Sequence, residues 1–374
     1  MTRYQLPDTA DLIRLGDRHE HAITVYAETS PAPDERENSL LQAKSAVDHA
    51  LRTIRESGAR HATEQQLRTR WAEIAESDLW LRLSRSLAIF IADDFHEVYV
   101  LPNALETQSQ VGHYFDIGQL VRAVTTPQEA YALTLSANGW NLWRATPTTR
   151  AEELPLVGEY ATDAAEATHR ATIRGRGHER RLGGDEGKKL LLETYAKRVA
   201  EAVQAELGHT DSPARVPLFL FATDPLLDFY RNIDQKRQII AVPGAPDELR
   251  PDQIDRAIRE SLSTLNAART NELVDEIGNG VTRGLVATDI ADIARAAVAG
   301  AVSKLVYNFT VDIYGRLDDA TGEISYGEDG YDLLSRIAVI VLANDGEVVA
   351  ARNEEVTASI WNGTAIAALR FPLT

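Results

Sequence analysis

The sequence predicts a mixed α/β protein of three domains, and three observations carry that expectation. Its 374 residues, at roughly 100–200 residues per domain, make room for two or three separate cores. Short β-branched and aromatic runs alternate with stretches whose apolar residues recur every three or four positions, as strands do among amphipathic helices. The chain also breaks twice, before the strand at Tyr131 and at Pro243-Gly244-Ala245-Pro246. These breaks set the expected domains at 1–128, 129–245 and 246–374.

Residues 1 to about 30 are mixed in character, and Pro31-Ala32-Pro33 marks a connector. Leu40, Ala43, Val47, Leu51 and Ile54 share a helical face, which predicts a helix over 37–56; Leu67, Trp71 and Ile74 predict another over 64–76. The runs 87–91 and 97–101, parted by Asp93-Asp94-Phe95-His96, predict a hairpin. A short helix over 115–124 must end before Pro127. A second hairpin joins 131–135 to 140–143; its turn, Asn138-Gly139, suits type I′ because both residues tolerate positive φ. The polar stretch 147–189 follows, rich in Gly, Arg and His. Helical spacing resumes at Leu192, Tyr195, Val199, Val203 and Leu207 and stops at Gly208.

A buried-type strand at 217–221, a short helix at 226–230 and a strand at 238–242 continue the alternation. Past Pro246 come two helices, Pro251 to about Ile277 and the Ala-rich stretch 288–303. Strands are expected at 305–309, 348–352 and 366–371, with an acidic Gly-rich loop over 318–330. The apolar run 333–343 is open: its β-branched content suits a strand, while its length and the turn at Asn344-Asp345-Gly346 admit a helix. No repeat of 20–50 residues is visible.

Charge narrows the function classes. With 39 Lys+Arg against 56 Asp+Glu, the net charge is −17, which argues against a protein that coats nucleic acid over its whole surface. No Cys is present, so disulfides, a thiol nucleophile and Cys-based zinc sites are excluded. No apolar run reaches the roughly 18 residues of a membrane span, and residues 1–7 lack the apolar core of a secretory signal. The expectation is a cytoplasmic protein with no membrane partner.

One segment departs from this acidic background. Residues 169–189 hold seven Lys/Arg (Arg170, Arg174, Arg176, Arg180, Arg181, Lys188, Lys189) against three acids, a local +4, together with five glycines. Glycine lets backbone amides approach an anion closely, and the arginine fork matches a phosphate. The segment reads either as a basic loop that reaches RNA or as a solvated surface loop. It is not a P-loop: Leu182 stands where the first glycine should be, and Lys189 replaces the Ser/Thr. Nor does Gly175-Arg176-Gly177 complete a dinucleotide fingerprint, since Arg180 takes the place of the last glycine.

His19-Glu20-His21 would place two imidazoles on one face of a strand but has no third ligand nearby, and surface histidines are the simpler reading. The acids of 318–332 lack a calcium-loop pattern. No Gly-x-Ser-x-Gly elbow occurs, and the five tryptophans read as core anchors. No catalytic residue, metal ligand or cofactor is assigned.

Four passages, in their order, resemble the bacterial branch of the archaeo-eukaryotic peptide-chain release factor superfamily, whose relatives include the eukaryotic class-one release factor and Pelota. The run 86–102 looks like the hairpin closing the first domain. Tyr131-Ala-Leu-Thr-Leu-Ser-Ala-Asn-Gly-Trp140 looks like the hairpin opening the middle domain. The Gly- and His-bearing loop, the helix 189–207 and Pro217-Leu-Phe-Leu-Phe-Ala222 look like that domain's catalytic loop, long helix and next strand. Asn344-Asp-Gly-Glu-Val348 and Ala365-Ile-Ala-Ala-Leu-Arg-Phe-Pro372 look like the closing elements of Pelota-type proteins.

The resemblance implies an RNase H-like α/β middle domain and a carboxy-terminal α/β sandwich akin to kink-turn-binding ribosomal proteins, which favours helix for 333–343. Members that release peptides carry Gly-Gly-Gln on the middle loop. Here the nearest match is Gly183-Gly184-Asp185, and aspartate is shorter, anionic and without an amide donor. An Asn-Ile-Lys-Ser codon-reading motif is absent. The resemblance therefore implies a ribosome-associated rescue, splitting or dormancy factor that lacks the peptide-release motif and touches ribosomal RNA through Arg174, Arg176, Arg180, Arg181, Gly183, Gly184 and Asp185. From Val311 to Ala358 there are 11 acids against three bases, which would suit a basic protein partner. Two alternatives stay open: a protein-interaction scaffold that keeps the fold, and a hydrolase using Asp185, Glu186 or His178.

Overall fold

The amino-terminal stretch that looks mixed in sequence contains an interior strand of the first sheet. The computed structural model describes residues 1–30, 32–101, 103, 105–146, 149–168, 185–208, 216–234, 237–327 and 330–372. It begins with β1 (Thr2–Arg3), α1 (Thr9–Leu15) and β2 (Ala22–Glu28). Asp8 caps α1, accepting the Asp11 amide at 2.8 Å while the Asp11 carboxylate reaches back to the Asp8 amide. There follow α2 (Arg36–Glu56), α3 (His61–Ala75), β3 (Ser86–Ala92), β4 (His96–Leu101), β5 (Gln108–Gly112) and α4 (Gly118–Thr125). The sheet runs β1-β4-β3-β2-β5. On one face Ile23, Val25, Ile89 and Ile91 meet Val47 and Leu51 of α2 and Trp71 of α3. The other face presents Tyr26, Phe90 and Tyr99 to a different core. With both faces covered, β2 shows no polar–apolar alternation.

The next elements are β6 (Ala130–Ser136), β7 (Gly139–Ala145), β8 (Glu152–Glu153), α5 (Ala164–Thr168), α6 (Asp185–Gly208), β9 (Leu218–Ala222), α7 (Leu226–Ile233), β10 (Ile239–Pro243) and α8 (Pro251–Gly278). The order β10-β9-β6-β7-β8 joins an antiparallel meander to two parallel strands, β9 and β10, reached through helices. This is the RNase H-like α/β arrangement. Helices α6 and α7 cover one face, while Ile254, Ile258 and Leu262 of α8 pack with Phe219 and Phe221 on the other. The β6–β7 turn differs from expectation. Ser136 pairs with Gly139, so the loop is Ala137-Asn138, and neither Asn138 nor Gly139 has positive φ. The Ser136 hydroxyl accepts the Asn138 amide at 3.0 Å and supplies the turn that Asn-Gly was expected to make.

The remainder holds β11 (Val286–Ala287), α9 (Ile290–Val298), β12 (Val302–Asn308), β13 (Tyr314–Leu317), β14 (Ile324–Tyr326), β15 (Tyr331–Asp332), α10 (Leu333–Ala343), β16 (Glu347–Ala351) and β17 (Ala365–Leu369). The run 333–343 is a helix, because Asp332 caps it by accepting the Leu334 and Ser335 amides at 3.2 and 2.8 Å. Helix α9 ends earlier than its Ala-rich sequence suggests, and Gly300 (φ 67°) turns the chain into β12. Within the acidic loop lies β14, which pairs with β13; β13 also pairs with β15, and the three make a small sheet. The larger sheet, β11-β17-β12-β16, is a sandwich filling: Val306 and Ile366 meet Val274 and Ile277 of α8, while Leu305 and Ala367 face α9 and α10.

The chain gathers into two compact units, Met1–Pro127 with Leu265–Thr374, and Gln128–Thr264. In the first, the amino- and carboxy-terminal segments share one core in which Tyr26, Phe90 and Phe115 lie with Tyr307, Leu334 and Ile337. The fit is close: a Cβ on Gly16 would collide with Val339. Two buried polar groups complete the junction. The Arg122 guanidinium donates to the Ala350 carbonyl at 3.1 Å and to Glu355 at 2.6 Å. Asp116 Oδ1 accepts from the Gly118 amide at 2.9 Å and the Ser335 hydroxyl at 3.2 Å. Burial first, then the neighbouring Asp332 carboxyl, push Asp116 up to about 7.

Two outcomes follow. Arg122→Ala removes the cationic partner of the half-buried Glu355, which keeps the Arg352 amide, and should cost about 2 kcal/mol in a urea titration, with Arg122→Lys unable to reproduce the two-sided contact. For Asp116, the folded protein holds a proton that the unfolded chain has already lost between about pH 4 and 7. Its contribution to stability is therefore greatest at the acid end and falls as pH rises through that window, by up to about 4 kcal/mol. Asp116→Asn should remove that component, so that the stability difference between variant and wild type grows from pH 4 to 7 and is flat above; a difference independent of pH contradicts the assignment.

Candidate RNA-contacting loop and its anchorage

Of the residues expected to touch RNA, Arg174, Arg176, Arg180, Arg181, Gly183 and Gly184 lie outside the described residues, as do His169 and His178. Asp185 is the first residue of α6. Asp185 and Glu186 thus belong to the first turn of that helix. What the structure defines is how both stems are held.

The leading stem is α5, five residues stabilised by reciprocal capping. The Asp163 carboxylate accepts the Glu166 amide at 2.8 Å, and Glu166 accepts the Thr162 amide and hydroxyl at 2.7 and 2.8 Å. Its Ala164 and Ala167 are fully buried against the apolar face of α6, where small side chains permit close approach. Arg198 of α6 donates to the Ala167 carbonyl at the end of α5. The trailing stem is α6, whose Leu192, Tyr195, Ala196 and Val199 sink into the same core. Lys188 and Lys189 stand exposed just past the loop, and the Lys189 ammonium lies 6.0 Å from the Phe229 ring centroid. The two stems are brought together, and two cations of the 169–189 segment are placed at the surface beside them.

Elsewhere the structure separates candidates that the sequence put together. His19-Glu20-His21 precedes β2 instead of lying in it. The His19 ring rests 4.9 Å from that of Phe115, and its Nδ1 is 4.0 Å from Asp94. Among the described residues no group of three or more His, Asp or Glu side chains is arranged to hold a metal ion, and no helix is long and apolar enough to cross a membrane. A cavity beside Asp116, walled by Tyr114, Tyr331 and Arg336, measures about 10 Å³. That is room for one water, where small-molecule sites take about 300 Å³ or more.

Residues 127–268, which contain the loop and both stems, match the model of bacterial archaeo-eukaryotic release factor family 11. Similarity to that family is thereby shown for this stretch of the chain. No curated protein matches it. Among solved structures it is similar to Archaeoglobus fulgidus Pelota, with 16% identity over 78% of this chain and 82% of that one and a TM-score of 0.38. Dom34 of S. cerevisiae, a translation termination-like factor, shares 12% identity over 76% and 74% with a TM-score of 0.34. The archaeal termination factor aRF1 shares 13% over 99% of each chain with a TM-score of 0.24. Scores this low do not establish a common arrangement of the whole chain.

In this release-factor-like unit, Tyr195 exposes a weakness in the anchorage. Its side chain is fully buried, and its hydroxyl has no hydrogen-bond partner among the described residues. Tyr195→Phe removes an unsatisfied polar atom without changing the packing, and should raise the unfolding free energy by about 1 kcal/mol. A loss of stability would show that the hydroxyl is satisfied.

Proposed function

We propose that the chain is a translation-linked, ribosome-associated factor of the rescue, splitting or dormancy kind, which contacts RNA through residues 169–189. The family match over 127–268 is the observation that carries this reading, because it falls on the segment where a −17 chain concentrates seven Lys/Arg. Arg174, Arg176, Arg180 and Arg181 would meet phosphates, and Gly183 and Gly184 would let the backbone pass close to them. Gly183-Gly184-Asp185 is the nearest match in this sequence to the Gly-Gly-Gln of peptide-releasing members. A carboxylate there repels phosphate and lacks the amide donor, which argues against hydrolysis of peptidyl-tRNA by that tripeptide.

The test is cosedimentation with purified ribosomes across a salt series. Binding should weaken with salt, and replacing the four arginines by alanine should flatten the slope of log K against log salt by about 3. A slope unchanged by the substitution removes the loop from the contact. A second reading, an interaction module without ribosome binding, is favoured by the 11 acids against three bases over 311–358; failure of the wild-type protein to pellet at low salt would select it.

A further inference from the structure

The segment that leads from β8 to α5 makes a turn held from below by a buried acid. Glu206, only 2% exposed, lies on the apolar stripe of α6. Its carboxylate accepts the Val157 amide at 3.0 Å and the Gly158 amide at 2.9 Å, and the Tyr160 hydroxyl hydrogen-bonds to it as well. A Cβ on Gly158 would collide with the Tyr160 ring. Tyr160 packs edge-on to Trp140, at 6.2 Å between centroids, and the Trp140 indole donates to the Ala161 carbonyl at 2.9 Å. On the incoming side the Leu154 amide donates to the Leu142 carbonyl at 2.7 Å, and its side chain packs on the core. Both ends and the floor of the turn are therefore fixed.

What this framework holds out is apolar. Pro155, Leu156 and Val157 are exposed, Val157 by 80%. Beside them in the chain Glu152, Glu153 and Glu159 are exposed, and from Ala151 to Thr168 the sequence has five acids and no Lys or Arg. A single exposed apolar residue is ordinary. A rigid apolar tip, with a buried carboxylate committed to its backbone, has the form of a pre-organised contact in which little ordering entropy remains to be lost on binding. The acidic rim repels phosphate and selects a positively charged partner.

We propose that Pro155-Leu156-Val157 is a docking tip for a Lys/Arg-rich protein surface with an apolar recess. Resting on the ribosome reading above, we assign that surface to a ribosomal protein. The tip is separate in sequence from the 169–189 loop and takes a partner of different chemistry.

The experiment places a photo-crosslinking benzoylphenylalanine at position 157 and irradiates the full-length protein with purified ribosomes. In parallel, the Leu156→Ser, Val157→Ser double variant is compared with wild type by cosedimentation. The expected results are a nuclease-resistant adduct with a basic ribosomal protein and binding about tenfold weaker in the double variant, with its salt slope unchanged. Because both side chains are solvent-exposed, the double variant should melt like wild type, and a thermal scan checks this. An adduct with RNA alone, or wild-type affinity in the double variant, overturns the tip while leaving the loop contact standing. Wild-type protein that does not pellet overturns the ribosome reading and this assignment with it.

Discussion

A carboxyl group kept from water holds the larger unit together. Asp116 sits where the first sheet, α4 and α10 converge, and each of its polar atoms is engaged. Its amide donates to the Thr24 hydroxyl at 3.0 Å, and its carbonyl accepts the Tyr26 hydroxyl at 2.7 Å, so the interior strand β2 grips its backbone. Its side chain takes Gly118 at the start of α4 and Ser335 in the first turn of α10. The charges that act on it most are other carboxylates, Asp332 and Asp312. Burial and like charge favour the protonated form, and a protonated acid can both accept and donate within this small network. A polar group so placed gives the apolar core around it a single register, because any slip leaves several buried partners unsatisfied at once. Asp332 extends the arrangement: it caps α10 and is itself pushed upward by burial.

That convergence also explains which parts of the fold were legible in the sequence. Helices α2 and α3 keep one face in water, so their apolar residues recur at helical spacing and read correctly. Strand β2 is covered on both faces, and Ala22-Ile23-Thr24-Val25-Tyr26-Ala27 shows no alternation to read. Helix α10 is apolar nearly all round for the same reason; its signal was Asp332, an N-cap residue standing directly before the run. Strands β13 and β14 were hidden by the opposite circumstance, being short and polar within an acidic stretch. The shared core of the first unit depends on contacts such as Arg122 with Ala350, 228 residues apart. No local pattern carries information at that distance.

For the candidate site the balance is reversed. The loop was visible because composition alone marks it, with glycines and arginines crowded into an acidic chain. Its anchorage was not. Ala164 and Ala167 look like nothing in a polar stretch, yet their smallness is what lets α5 lie against α6. Glu206 had a readable sign, a carboxylate on the stripe formed by Val199, Val203 and Leu207, a position where an acid must find donors or be expelled. The donors proved to be backbone amides of a segment nearly fifty residues earlier.

Within the second unit, opposite charges are thus consecutive in sequence but separate in role. The stretch 151–168 carries five acids and no base, and 169–189 carries a local +4. At physiological ionic strength fields are screened over about 8 Å, so each stretch acts on what comes within a side chain's length of it and not on the molecule as a whole. Net charge then stops being the relevant quantity. On the proposed reading a phosphate backbone would be attracted by one stretch and repelled by the other, so that the acids restrict the orientations in which the arginines engage. If RNA contact is confined to that one place, as proposed, the repulsion supplies the selectivity that a uniformly basic surface lacks.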